Sequence, residues 1–123
     1  MKKVFVAASS KFYEEVKQIK LRLDELGVKG FYPYFDFTGD SVEENEELKK
    51  DLTRKHFPEI DQVDVLYIFA KEGYAGISVA IEASYAYAKG KEIISSELIS
   101  ELALRAIVSR VVPKEEFIKY TAK

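Results

Sequence analysis

The chain has no cysteine and only one histidine. Without cysteine there is neither a disulfide nor a thiol nucleophile, and the redox compartment stays open. One histidine with no thiolate makes a dedicated transition-metal site unexpected. No apolar run approaches the ~20 residues of a membrane-spanning helix, so no membrane partner is expected. An excess of either charge is also missing: 19 Lys and Arg face 21 Asp and Glu, a net charge of −2. A general nucleic-acid binder needs a basic surplus to neutralise phosphates, so nucleic acid is not an expected partner. A small anionic molecule needs only a few donors and stays open. There is no linker, low-complexity tract or internal repeat in the 123 residues, so a single domain over 1–123 is expected. The first residues lead straight into a strand, so no leader is expected, and the expected location is cytoplasmic. Nothing in the composition asks for a cofactor.

What is present alternates between strand and helix patterns. Val4 to Ala8 reads as a buried strand. Phe12, Val16, Ile19, Leu23 and Leu26 then recur at helical steps, with Ser10 as the expected cap and Gly27 as the stop. Val28 to Phe37 reads as a second strand. Pro33 inside it lacks a ladder donor, which sends the strand to the sheet edge or ends it early. Asp36 and Asp40, beside Thr38 and Gly39, fall at its carboxyl end as cleft or turn residues. Ser41 and Glu44 form a capping box for a helix reaching His56, acidic at its start and basic towards its end. Pro58 is expected to break that helix. Ser96 is expected to cap a long helix to about Arg110, and Pro113 to open a short one from Lys114 to Tyr120. The sum is a three-layer α/β/α domain with four or five parallel strands. The expected order is 2-1-3-4, flavodoxin-like, with a cleft between strands one and three.

The most informative stretch is Asp64 to Ile94. Val65 to Ala70 is apolar and strand-length. Lys71 to Gly76 is a polar loop with two glycines. Ser78 to Lys89 is an alanine-rich helix stopped by Gly90, and Ile93 and Ile94 begin another strand. This is one strand–loop–helix–strand unit with a right-handed crossover. Glu82 stands among Val79, Ala80, Ile81, Ala83 and Ala86, where a carboxylate is costly to bury unheld. Ser78 shares its helix face. The helix start is expected to keep Glu82 ionised, which suits a nucleophile; the alternative is a glutamate that only complements the helix dipole.

The central unit, with its strand from Asp64, glycine loop, Glu82 and the segment EASYAYAKGKEII, resembles the nucleoside 2-deoxyribosyltransferase family. It also resembles the relatives of that family that hydrolyse the N-glycosidic bond of nucleoside 5′-monophosphates. The opening VFVAAS is similar to the family's first strand. The resemblance implies that Glu82 is the nucleophile that attacks the anomeric carbon. It implies that Gly73, Gly76 and Ser78 approach the sugar and 5′-phosphate, and that Ser9, Ser10 and Tyr13 contact the substrate. His56 stands where the family carries an Asp, and is the expected proton donor to the leaving base. Gly76 stands where the transferases carry another Asp. Asp61 or Asp36 are the available substitutes, and Asp64 is expected to be structural. A homodimer is implied, through the helices after strands three and four, with Tyr85, Tyr87 and Leu104 as contacts or core. Arg105 and Arg110 are expected on a solvated surface.

The function expected is cleavage or transfer at the N-glycosidic bond of a nucleoside or nucleoside 5′-monophosphate. The alternative is a non-catalytic nucleotide or nucleotide-sugar binder of the same fold. A phosphoacceptor receiver is disfavoured: its acidic cluster would have to stand at Ser9 and Ser10, and its Asp at Lys71 or Glu72.

Overall fold

The computed structural model describes residues 1–36 and 46–123. Among the described residues five strands form: β1 (Val4–Ala7), β2 (Gly30–Phe31), β3 (Val65–Ile68), β4 (Glu92–Ser95) and β5 (Arg110–Val111). All pair in parallel, in the order β2-β1-β3-β4-β5. The expected order therefore holds, and β5 is added at the far edge. Val4 lies opposite Val65 and Ala7 opposite Ile68, so the two central strands run in step.

Side chains alternate across a strand, and here both faces are apolar. Val4, Val6, Val65 and Tyr67 point to one face, with Val16, Ile19, Leu23, Phe117 and Ile118 packed there. Phe5, Ala7, Leu66 and Ile68 point to the other, with Ile60, Val79, Ala83 and Ala86. The first set of covering residues comes from α1 (Tyr13–Glu25) and the last helix, Lys114–Thr121. The second comes from α2 (Glu46–Asp61) and α3 (Ile77–Ala88). Each fully buried Leu, Ile or Val contributes roughly 1.5–3 kcal/mol by leaving water. A short α4 (Leu102–Arg105) precedes β5, and the last helix is α5.

Four local expectations change. Ser9, not Ser10, caps: its Oγ accepts from Lys11 N at 3.3 Å, and Ser10–Phe12 forms a 3-10 turn before α1. β2 spans Gly30–Phe31 instead of Val28–Phe37; it lies at the sheet edge and ends before Pro33, as the proline was expected to dictate. Pro58 does not break α2, which runs on to Asp61. A proline near a helix end forfeits only one backbone bond, and Ile60, fully buried under the sheet, holds the last turn in place. Ser96 caps no long helix. It is buried and bridges the ends of β3 and β4: its Oγ accepts from Ala70 N and donates to Ala70 O, both at 2.8 Å. The helix after it shrinks to α4, capped by the Glu101 carboxylate accepting from Leu104 N at 2.9 Å. Asp40 with Thr38 and Gly39, and the capping box of Ser41 and Glu44, lie outside the described residues.

Candidate functional site

A cavity of about 290 Å³ opens at the carboxyl edge of the sheet. Order reverses there between β1 and β3, which is where open α/β sheets bind ligands. The volume is near the small end of ligand pockets. The loop after β1 brings Ser9 and Ser10, and the start of α1 brings Tyr13. The segment after β2 brings Pro33 and Tyr34, while Lys49, Thr53 and His56 come from α2. The β3–α3 loop and α3 bring Tyr74, Gly76, Ser78 and Glu82.

Seven of the nine residues expected at the site thus share one cavity: Glu82, His56, Ser9, Ser10, Tyr13, Gly76 and Ser78. Two do not. Gly73 has φ +80°, and its hydrogen side packs so tightly on Ser100 that a Cβ would strike the Ser100 hydroxyl. Its carbonyl accepts from Ser100 N at 3.0 Å, so it shapes the loop instead of lining the cavity. Asp36 is exposed and borders a separate hollow with Lys17, Lys20 and Leu21. Nor does Asp61 stand in: its Oδ1 accepts from Tyr85 Oη at 2.8 Å, away from the cavity. Asp64 is structural as expected, its carboxylate accepting from Lys3 N at 2.9 Å.

α3 turns Val79, Ala83 and Ala86 onto the sheet, and Glu82 goes with them: only 9% of its surface is exposed. The expectation that the helix dipole keeps it ionised does not hold. Burial pushes its carboxyl up to about 8, and the negative Glu59 adds to the rise. The physical reason is one of scale. A dipole effect of about 0.3–1 kcal/mol fades within the first turn, and Glu82 is already the sixth residue of α3. Loss of water costs a buried carboxylate several kcal/mol. At neutral pH the acid is therefore protonated. Tyr13 lies close enough that burial and the Glu82 charge both raise its phenol.

His56 Nε2 lies 3.5 Å from Glu82 Oε2. Because α2 passes unbroken through Pro58, His56 is held in place on it, 8% exposed. Its ring stacks on Tyr34 at 4.6 Å and 14°, and meets the edge-on Phe5 at 5.0 Å. Burial lowers its pKa, while Glu59 opposes that fall. The balance favours the neutral imidazole. Its other nitrogen, Nδ1, is 2.9 Å from Glu59 Oε1. Tyr34 Oη donates to Glu59 Oε2 at 3.0 Å. Sequence reading missed Glu59, Tyr34, Lys49 and Thr53. The spacing His56-x-x-Glu59 was a usable signal, since residues three apart share a helix face.

The strand order reverses over this cavity, and an acid stands on the helix after β3. The chain has the nucleoside deoxyribosyltransferase fold. No protein-family model and no curated protein matches it. Among solved structures, a 2-deoxyribosyltransferase from Bacillus psychrosaccharolyticus superimposes with a TM-score of 0.73 at 17% identity, over 96% of this chain and 91% of that one. A CMP N-glycosidase from Clostridium botulinum gives 0.56 at 21% identity, over 97% and 96%. A conserved protein from Enterococcus faecalis gives 0.59 at 14% identity, also over 97% and 96%. At such identities the likeness carries the fold, and chemistry must be argued from the site.

Proposed function

We propose that this chain cleaves or transfers at the N-glycosidic bond of a nucleoside or nucleoside 5′-monophosphate, with Glu82 as nucleophile. The observation that carries the reading is the buried Glu82 carboxyl in the cavity, 3.5 Å from His56 Nε2. Two solved structures of the same fold, a deoxyribosyltransferase and a CMP N-glycosidase, support it.

The chemistry follows the retaining pattern, in which a carboxylate traps an oxocarbenium-like anomeric carbon. The Glu82 carboxyl must first lose its proton, and His56, with Nε2 3.5 Å away, is the acceptor in this reading. The carboxylate then bonds to the anomeric carbon as the C–N bond breaks. The leaving base keeps the bonding electron pair and takes up the proton from the imidazolium. Water, or a second base, then releases the glycosyl group. Ser78, the first residues of α3 and Lys49 border the same cavity, and backbone N–H groups at a helix start suit a 5′-phosphate. A homodimer would find exposed apolar residues at Ile77, Ile81, Leu98 and Leu102; Leu104 is buried core, and Tyr85 is tied to Asp61.

A binding-only protein of this fold is the second reading. Gly76 favours it, because it places no carboxylate where the resemblance calls for one. Incubation with a panel of nucleosides and monophosphates, followed by chromatography for free base, separates the readings. Release by the wild type and none by a folded Glu82→Gln variant is the expected result. Thermal stabilisation by nucleotides without release selects the second reading. Neither release nor stabilisation rejects both.

A further inference from the structure

Behind Glu82 lies a line of contacts that cleavage alone does not require. We propose that Glu59 and Tyr34 are positioning residues for proton transfer: they fix His56 in the Nδ1–H tautomer, so that its bare Nε2 faces the Glu82 carboxyl. This rests on the cleavage reading above and adds to it the device that sets the direction of the proton.

The argument is one of donors and acceptors. Glu59 Oε1 is 2.9 Å from Nδ1 and its Oε2 already accepts from Tyr34 Oη at 3.0 Å. A carboxylate offers Nδ1 only lone pairs, so the hydrogen on that line belongs to Nδ1. The opposite tautomer would set two lone pairs against each other at hydrogen-bond distance. With Nδ1 protonated, Nε2 has only a lone pair to turn towards Glu82, 3.5 Å away. That pair can take a proton from a carboxylic acid and cannot give one to it.

The surroundings hold the ring in this pose. Tyr34 is stacked on one face and Phe5 of β1 meets the ring at a right angle. The titratable groups facing the imidazole are Glu59 on its own helix, Glu82 on α3 and Tyr34 on the segment after β2. The Lys55 ammonium sits 5.9 Å from the Tyr34 ring centre. The step balances. The Glu82 O–H bond breaks and an Nε2–H bond forms, leaving carboxylate and imidazolium. Glu59, accepting from Nδ1, stabilises the imidazolium. The carboxylate bonds to the anomeric carbon while the C–N electron pair leaves with the base. The proton on Nε2 then passes to that base, and His56 is neutral again.

The chain has a single histidine, so its imidazole nitrogens give an unambiguous NMR spectrum after ¹⁵N labelling. The wild type is expected to show a protonated Nδ1 and a bare Nε2 near neutral pH. Glu59→Gln, checked for unchanged melting, should lose that preference and lower kcat about 10²-fold with little change in KM, the scale of a misplaced general base. Tyr34→Phe keeps the stack and removes one donor to Glu59, so its loss should be smaller. Glu59→Asp should restore part of the rate. A protonated Nε2 in the wild type, or Glu59→Gln with unaltered tautomer and kcat, overturns the proposal. The two readings fail separately: if no substrate releases base, the cleavage reading falls, while the tautomer in wild type and Glu59→Gln still shows whether Glu59 sets it.

Discussion

Replacing Glu82 by Gln keeps the side chain's size and removes its proton equilibrium. The unfolded chain releases this proton near 4.5, and the folded chain holds it up to about 8. Between those values the folded state binds a proton that the unfolded state has given up. Wild-type stability must therefore fall as pH rises through the window, by about 1.4 kcal/mol per pH unit. His56 acts in the opposite sense: burial lowers its folded pKa, so its cost is present at low pH and is relieved as pH rises to 6.5. Above 6.5 that contribution is spent, and Glu82 acts alone. Between pH 6.5 and 8, where the folded carboxyl becomes half ionised, the variant should gain about 1.6 kcal/mol relative to wild type. For a domain of this size that is a melting difference wider by about 5–8 °C. Differential scanning calorimetry of both proteins at the two pH values measures it. A difference that stays the same at both would mean that the carboxyl ionises near its ordinary value, and the argument from burial would be wrong.

Two other substitutions test the frame around the site. Gly73→Ala combines a φ of +80° with a Cβ driven into Ser100; a loss of about 2 kcal/mol or more is expected in denaturant unfolding. Ser96→Ala leaves both backbone groups of Ala70 without the hydroxyl that pairs them. It should cost about 1–3 kcal/mol by the same measurement.

The core of the fold was legible because the central strands are continuous apolar runs. Val4 to Ala8 and Val65 to Ala70 have no polar interruption, and a strand–helix–strand unit leaves little choice of topology. Glu82 was legible as the one charged residue among small apolar neighbours. Its protonation was misjudged because sequence shows the helix dipole but not the depth of burial. The region from Ser96 to Arg110 was misread for a related reason. Leu98 and Leu102 supplied a helical rhythm, yet they are 60% and 69% exposed, while Ser96 is drawn into the β3–β4 junction. Glu59 was within reach through its spacing from His56, but its second partner, Tyr34, comes from a different segment and meets it only in three dimensions.

The outermost strands, β2 and β5, are two residues each. A row of unpaired backbone groups that short gives a neighbouring chain almost nothing to zip onto, and Pro33 lies just past the end of β2 without an N–H to offer. Strand-by-strand polymerisation is thereby discouraged at either margin. Among the described residues, the larger exposed apolar side chains stand instead on or beside helices, as at Ile77, Ile81 and Leu102, where an association between two copies can close on itself and stop.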